Sequence, residues 1–282
     1  MIHFQLTDRG NAANEDFVRS TERYGIVIDG ATGLAGDALF PDRFATNAQW
    51  LSHTVGEGVC AALEAGVPAE RALAEAVTAA REELEAALGR PLADVDPDAV
   101  PSATLALAVL TADTVELYGL ADSPLVAVMR DGSALTWTDE VLEGLDAAAV
   151  RASVERAAGR PLTGPQKRAL VQDVIVNHRR LRNTEGGYWC LDPSGAGLAH
   201  LRRASLPRAE VVAVVGMSDG FWRVFGDFAL ANVARDLPDL TLERSRELLG
   251  RLRAEEAADP DYTVHPRLKR SDDASLFCLR LG

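Results

Sequence analysis

The sequence has little of what marks redox, zinc-binding or nucleic-acid-binding proteins. Its three cysteines are odd in number and have no CxxC spacing, which argues against a disulfide framework or a zinc site. Its five histidines follow no metal-ligand spacing. Positive charge is also scarce, because 29 Lys and Arg stand against 42 Asp and Glu, for a net charge of −13. Nucleic acid and anionic membrane surfaces repel such a chain, so neither is expected as its main partner.

Long apolar runs are missing as well. No stretch of about eighteen residues is free of charged or polar side chains, and residues 1–17 contain no apolar run of signal-peptide length. We therefore expect a cytoplasmic protein. The 282 residues are 47% hydrophobic and 25% charged, as in ordinary globular proteins, and no low-complexity linker or internal repeat divides them. This predicts a single domain over residues 1–282 and leaves the oligomeric state open.

Hydrophobic periodicity divides the chain into alternating groups of strands and helices. The predicted strands are residues 2–6, 17–18, 24–29, 104–110, 115–120, 125–129, 134–138, 186–191, 198–201, 211–217 and 274–281. The predicted helices are residues 41–66, 67–89, 139–158, 165–181, 228–236 and 242–256. The four strands between 104 and 138 have the spacing of an antiparallel meander. Groups of strands followed by groups of helices predict an α+β layered fold.

Five short acidic stretches lie at the ends of predicted strands or in the turns beside them. They are Asn14-Glu15-Asp16, Asp29-Gly30, Asp122-Ser123, Ser218-Asp219-Gly220 and Asp272-Asp273. Asp-Gly is first of all a turn signal, and Asp131-Gly132, between two strands, is predicted to form a hairpin turn. Asp29-Gly30 and Asp219-Gly220 differ, because each ends a strongly apolar strand and no pairing strand follows directly. The first leads into a predicted loop at Ala31-Thr32-Gly33. For these two, the residues alone leave a turn and a functional site as open alternatives.

Taken in order, the five stretches resemble the metal-dependent serine/threonine phosphatases of the PP2C family. The resemblance runs from about residue 2 to residue 281. It includes Ser102-Ala103-Thr104-Leu105, similar to the family's Gly-Thr-Thr-type strand start, and Asp122-Ser123, similar to its Gly-Asp-Ser. It implies a four-layer αββα sandwich, two antiparallel sheets flanked by helices, with a helical, flap-like segment over about 139–207. It also implies hydrolysis of phosphoserine and phosphothreonine on protein substrates.

The resemblance further implies a centre of two Mg²⁺ or Mn²⁺ ions, with a third in bacterial members. Asp29 is implied to bridge the two ions, and the carbonyl of Gly30 is implied to bind one of them. Asp219 and Asp272 are implied to bind the other ion. Glu15 and Asp16 are implied to hold metal-bound waters, and Asp122 is implied to help bind the third ion. Asp273 aligns with the family's usual asparagine and is not expected to be a direct ligand.

The chemistry of the residues agrees with these roles. Carboxylates brought together repel one another, whereas hard divalent cations with oxygen ligands neutralise them. Because none of the five stretches contains Cys or His, Mg²⁺ or Mn²⁺ is favoured over zinc. Two such ions lower the pKa of a bridging water, so that hydroxide attacks phosphorus and no protein nucleophile is needed. Catalysis is therefore expected to depend on Asp29 and Asp219 through the metal-activated water.

Two positions depart from the family pattern. Asn11 stands where the family commonly has an arginine that binds the substrate phosphate with its two-pronged guanidinium, and Arg9 is the nearby candidate to replace it. Ala31 stands where many eukaryotic members have a histidine proposed as general acid, which bacterial members often lack. Another basic candidate is the cluster Arg179-Arg180-Leu181-Arg182, which either places cations at a helix C-terminus or binds a ligand.

Two alternatives to protein phosphatase activity stay open. The first is a phosphatase-like module that binds a phosphorylated partner without cleaving it, which Asn11 supports. The second is a phosphatase of a small phosphate ester, with specificity set by the segment from Asp139 to Pro207, since inserted loops usually set specificity.

Overall fold

Two antiparallel β-sheets form the centre of the structure, a computed structural model that describes residues 1–31 and 37–281. The first sheet has the spatial order β1 (Ile2–Asp8), β11 (Ala274–Arg280), β10 (Val211–Met217), β7 (Leu125–Met129) and β8 (Ala134–Trp137). The second has the order β2 (Asp16–Ser20), β3 (Tyr24–Ala31), β5 (Leu105–Leu110), β6 (Thr114–Leu120) and β9 (Arg202–Pro207), and the short β4 (Ser102–Ala103) also pairs with β3. All of these strand pairs are antiparallel.

Helices cover the outer face of each sheet. The helices are α1 (Asn47–Glu64), α2 (Ala69–Leu88), α3 (Glu140–Ala157), α4 (Gly164–Ala169), α5 (Gln172–Arg179), α6 (Asp219–Trp222), α7 (Val233–Asp236) and α8 (Leu242–Ala258). Residues of α1 and α2 share a core with the second sheet, and residues of α6 and α8 share one with the first. The predicted four-layer αββα sandwich is therefore confirmed.

Alternation along the strands builds these layers. In β3, Ile26 and Ile28 belong to the core under α1 and α2, whereas Val27 belongs to the core between the sheets. In β11, Leu276 packs toward α8 and its neighbour Phe277 packs between the sheets. Successive side chains of a strand point to opposite faces, so strands that are apolar at every position must be covered on both sides.

Several predicted element boundaries move in the structure. The helix predicted over 41–66 begins only at Asn47, because the side chain of Thr46 accepts a hydrogen bond from the backbone N–H of Gln49 and caps it. The helix predicted over 165–181 is divided into α4 and α5. Of the helix predicted over 228–236, only the last turn, α7, forms. These are differences at the ends of elements, where sequence signals are weakest.

The strands predicted at 186–191 and 198–201 are wrong. Leu191 makes only an isolated bridge to Ala103, and Ala196–His200 is a 3-10 helix. Between them Gly195 has φ +73°, and the Asp192 carboxylate accepts the Ser194 N–H, so the chain turns where the apolar pattern favours extension. The strand that does form, β9, begins at Arg202.

The segment from 139 to 207 contains α3, α4 and α5 between β8 and β9, and its last six residues are β9 itself, paired with β6. A flap role for this segment, and a single domain over 1–282, stay predictions. Thr32 and Gly33 of the predicted loop lie outside the described residues. None of the helices in the described ranges has the combination of length and apolarity that crossing a membrane requires.

Candidate metal centre

The acidic stretches converge at one end of the sandwich. Asp16 opens β2 and is the register partner of Asp29, near the end of β3. Asp219 follows β10 and Asp272 precedes β11, and these two strands pair with Met217 opposite Leu276. Antiparallel pairing places the end of one strand beside the start of its partner. The negative charges of Asp16, Asp219 and Asp272 all act on Asp29, as expected for one shared site.

Asp273 fastens the N-terminal loop to this site. Its carboxylate accepts the backbone N–H groups of Gly10 at 2.8 Å, Asn11 at 3.2 Å and Glu15 at 2.8 Å. A Cβ at Gly10 would lie 2.0 Å from the backbone oxygen of Asp272, so only glycine permits this approach. Asp273 therefore positions Glu15 and the adjoining start of β2, and it does so as a hydrogen-bond acceptor for the backbone.

The structure separates the three Asp-Gly pairs. Asp131-Gly132 forms the predicted hairpin turn between β7 and β8, with Gly132 at φ +87°. Asp29-Gly30 instead lies within β3. Asp219-Gly220 opens α6, where a Cβ on Gly220 would lie 2.0 Å from the backbone oxygen of Asp273. Neither of the last two pairs is a hairpin turn, so their carboxylates are free of that local role.

Asp16 and Asp219 have buried carboxylate oxygens that no hydrogen-bond donor among the described residues satisfies. Within the described part of the chain, both carboxylate oxygens of Asp16 and Oδ1 of Asp219 are buried with no hydrogen-bond partner. Burial raises the pKa of Asp16 to about 7, and the charge of Asp272 adds to that rise. The nearby hydroxyl of Ser275 offsets part of this rise in pKa, although the hydroxyl and the Asp16 carboxylate do not have the geometry of a hydrogen bond. Burial, followed by the charges of Asp16 and Asp219, raises the pKa of Asp29 well above its usual range.

Asp272 has the opposite environment. Its Oδ1 accepts the Asn11 side-chain amide at 3.2 Å and the Asp273 N–H at 3.1 Å. Its Oδ2 accepts Nη2 of Arg223 at 3.2 Å and the ammonium of Lys269. Burial by itself would raise the pKa of Asp272, but the charges of Lys269 and Arg223 outweigh burial and hold that pKa below its usual value.

A cleft of about 620 Å³ includes Asp219 in its lining and carries charges of both signs. The charged side chains that line it are Asp122, Glu143, Asp146, Arg151, Arg168, Arg179, Asp219, Arg223, Asp227, Arg267 and Lys269. Burial, followed by the charge of Asp219, raises the pKa of Asp146 to about 6, and burial raises the pKa of Asp122. The cleft therefore has acidic groups next to the candidate centre, and arginines from α3, α4 and α5 line it as well.

Sequence reasoning missed Asp146 and Lys269. Asp146 is one of several acidic residues on α3, and nothing in the helical pattern distinguishes it. Lys269 lies in a predicted loop, where its spacing of three residues before Asp272 is the one signal that connects it to the site. A search for acids alone passes over a cation of this kind.

The arginines of the basic cluster at the end of α5 lie in different surroundings. Arg180 forms an ion pair with Asp98 at 2.7 Å, and Arg182 donates to the backbone carbonyls of Val100 and Pro97. Arg179 lines the cleft, and burial lowers the pKa of its guanidinium. Among Arg179, Arg180 and Arg182, only Arg179 belongs to the lining of the cleft, and a ligand role for the cluster stays a prediction.

The two residues predicted to bind the substrate phosphate lie away from the cleft lining. Arg9 is exposed and donates to the carbonyl of Ala12 at 3.3 Å, and the amide of Asn11 is directed at Asp272. Glu15 accepts the hydroxyl of Thr46 at 2.6 Å through Oε1. The phosphate-binding role of Arg9 and Asn11 stays a prediction. The metal-ligand roles also stay predictions, for Glu15, Asp16, Asp29, Gly30, Asp122, Asp219 and Asp272.

The donor atoms are of the chemical type that a hard divalent cation prefers. Within residues 1–31 and 37–281, no three Asp, Glu, His or Cys side chains are grouped closely enough to ligate one ion in this arrangement. The oxygens of Asp16 and Asp219 that lack a partner nevertheless lie in one cluster with Asp29, and every candidate donor in this cluster is a carboxylate oxygen. Buried carboxylates of this kind are normally neutralised by a proton or a cation, and Mg²⁺ and Mn²⁺ prefer such ligands.

Comparison with known proteins establishes the fold. No protein-family model and no curated protein matches the sequence. Among solved structures, the chain is similar to the catalytic domain of the serine/threonine protein phosphatase PstP in complex with two manganese ions (17% identity, 98% of this chain and 96% of that chain covered, TM-score 0.56). It is also similar to PstP/Ppp of Mycobacterium tuberculosis (17%, 99% and 98%, 0.53) and to Stp1 of Staphylococcus aureus (13%, 99% and 94%, 0.57). The chain therefore has the fold of the bacterial PP2C-type serine/threonine phosphatases.

Proposed function

We propose that the chain is a Mg²⁺- or Mn²⁺-dependent phosphatase that hydrolyses phosphoserine and phosphothreonine on proteins. The observation that carries the proposal is the convergence of buried, uncompensated carboxylates from distant segments beside a cleft lined in part by arginines. Solved structures with the same fold are serine/threonine phosphatases, one of them with two manganese ions, which supports the same class here.

Asp16, Asp29 and Asp219 are the residues that would hold the cation. They lie together at the ends of β2, β3 and β10, and their burial and mutual repulsion favour a bound positive charge. Bound divalent cations supply charge neutralisation and water activation in phosphoryl transfer. The described chain needs no cysteine or serine as nucleophile in this scheme, and all three cysteines are buried.

The arginines of the cleft are suited to the substrate phosphate. Arg179 of α5 and Arg168 of α4 line the same cleft as Asp219, so a phosphate beside the centre lies within the field of both guanidinium groups. A planar guanidinium binds phosphate through two parallel hydrogen bonds. Arg179 therefore takes the role that the family pattern gives to the residue at position 11.

Asp146 is the candidate proton donor for the leaving oxygen. It lines the cleft with Asp219, and its pKa of about 6 keeps part of its population protonated near neutral pH. A general acid is most effective when its pKa lies near the working pH. Asp146 would thus act as the general acid. Many eukaryotic members have a histidine proposed for this role directly after Asp-Gly, where this sequence has Ala31.

The test is hydrolysis of a phosphothreonine peptide and of an aryl phosphate by the purified chain, with added Mn²⁺ and again with chelator. Turnover with Mn²⁺ and its loss with chelator are expected. Turnover that persists in chelator would contradict the metal-dependent scheme.

One observation favours a second function, a module that binds a phosphorylated partner without cleaving it. Asn11 replaces the usual arginine, and its amide is directed at Asp272. That module would bind the phosphothreonine peptide with no turnover in the presence of Mn²⁺, and Asn11→Arg would then be the variant expected to restore activity.

A further inference from the structure

Asp272 has no acceptor capacity left for a metal ion. An ionised carboxylate offers about four lone-pair sites on its two oxygens. Oδ1 of Asp272 uses two of them for Asn11 and for the Asp273 N–H, and Oδ2 uses two for Arg223 and Lys269. A cation can bind this carboxylate only if one of its present partners leaves.

Arg223 is held firmly in its place. Its side chain is 11% exposed, and besides Asp272 it contacts Glu256 of α8, which is itself 1% exposed. Glu256 also pairs with Arg253 at 2.9 Å, and Arg253 donates to the backbone oxygen of Asp272 at 2.7 Å. Arg223 thus belongs to a buried network, and removing it from Asp272 would leave buried charges unpaired.

Lys269 is the second cationic partner of Asp272, and it lies in the lining of the cleft. Its ammonium contacts Oδ2 of Asp272, and its positive charge also acts on Asp219 and Asp29. The side chain is 43% exposed, so it reaches the carboxylates from the cleft surface. A divalent cation close to Asp272 would therefore meet two positive side chains as well as a saturated ligand.

Resting on the function proposed above, we infer that Lys269 and Arg223 together take over the charge-neutralising role of one divalent cation. The chain then binds a single Mg²⁺ or Mn²⁺ among Asp16, Asp29 and Asp219, with water completing its coordination, where the family pattern implies two ions. Asp272 is, on this inference, a structural partner of Lys269 and Arg223.

The sequence contains two lysines, which provides a matched pair of variants. Lys269→Gln removes the ammonium from Asp272. Lys167→Gln removes the other lysine, which is bonded to the carbonyl of Asp261 at 2.7 Å on the protein surface and is absent from the cleft lining. Mn²⁺ stoichiometry is measured by titration calorimetry and native mass spectrometry on the full chain, and thermal unfolding verifies that each variant is folded.

We expect one Mn²⁺ in the wild type, one in Lys167→Gln and two in Lys269→Gln. The number of bound Mn²⁺ ions is also measured after Asp122→Asn is added to each protein, because this change removes the carboxylate implied for a third ion. Two ions in the Asp122→Asn single variant would overturn the single-ion inference and leave the phosphatase proposal standing. One ion in folded Lys269→Gln would also overturn it. No ion in any folded variant would overturn both.

A second measurement does not depend on Lys269→Gln. The electron paramagnetic resonance spectrum of the Mn²⁺-saturated wild type should be that of an isolated ion, and Asp272→Asn should keep one bound Mn²⁺. An exchange-coupled pair in the wild type, or loss of the ion in folded Asp272→Asn, would contradict the inference.

Discussion

Two groups of carboxylates lie at the same end of the sandwich and differ in what surrounds them. Asp272 and Asp273 are buried, yet their oxygens accept hydrogen bonds from backbone, amide and cationic donors. Asp16 is equally buried, and both of its oxygens lack a partner within the described residues. Burial alone therefore does not distinguish a structural acid from a functional one. The absence of a hydrogen-bond donor does distinguish them, because such a carboxylate must find its partner in an ion, a water molecule or a ligand.

The two groups of carboxylates are also expected to affect different properties of the protein, one its stability and the other its activity. The bonds of Asp273 hold the loop after β1 against β11 and stabilise the fold. The crowding of Asp16, Asp29 and Asp219 destabilises the ionised protein and, on the proposed function, would favour the binding of a cation. Changes in the two groups should accordingly appear in different measurements.

The largest effect is expected for Asp29→Ala. Loss of this carboxylate should lower hydrolysis of a phosphothreonine peptide by at least about 1,000-fold, because metal-ion catalysis is worth several kcal/mol. The unfolding temperature in chelator should not fall. Asp131→Ala, in the hairpin turn of the other Asp-Gly pair, is the matched control and should keep its activity. Near-normal turnover in Asp29→Ala would contradict the assignment of the centre.

Asp273→Ala should act on stability. Three backbone N–H groups lose their acceptor, so the free energy of unfolding should fall by about 3 kcal/mol in a denaturant titration. Asp273→Asn keeps one acceptor oxygen and should lose clearly less. Equal losses in the two variants would show that the charge of Asp273, and not its hydrogen bonds, supports the loop.

Asp146→Asn should separate substrates by their leaving groups. A poor leaving group needs a proton, so turnover of the phosphothreonine peptide should fall by about 100-fold. An aryl phosphate has a good leaving group and should be hydrolysed at nearly the wild-type rate. An equal loss on both substrates would remove Asp146 as the proton donor and leave it a role in positioning.

Asp16→Asn should change how stability depends on pH in chelator. The usual pKa of 3.8 rises to about 7 in the folded protein, so the folded state binds the proton more tightly than the unfolded chain. The contribution of Asp16 is therefore fully present below pH 3.8 and is lost as pH rises through about 7. Asp16→Asn should be more stable than the wild type by roughly 4 kcal/mol at pH 8, with little difference at pH 4. An identical pH profile for both proteins would contradict the uncompensated burial of Asp16.

Much of the fold was predictable because its signals are local. The strands at 24–29 and 211–217 are apolar at consecutive positions, which predicts burial on both faces, and both form. The region 186–201 was not predictable in the same way. Its apolar residues favour strands, but the turn at Gly195 and the hydrogen bonds of Asp192 and Asn183 decide its conformation.

The candidate centre was predictable in part. Asp29 ends the apolar run of β3 and Asp219 follows the apolar β10, so the pattern predicts that each lies at the end of a buried strand. The state of each carboxylate depends on partners distant in sequence, such as Arg223 for Asp272, and no local pattern indicates them. Asp146 reaches the cleft only through the packing of α3.

The most direct test of the central claim is hydrolysis of the phosphothreonine peptide as a function of bound Mn²⁺, with thermal unfolding followed in the same samples. The cation should raise the unfolding temperature and the turnover over one concentration range, because on the proposed function the carboxylates that would bind it are also those that would support hydrolysis. Full Mn²⁺ binding and stabilisation with no turnover on any phosphorylated substrate would contradict the phosphatase and favour the binding module.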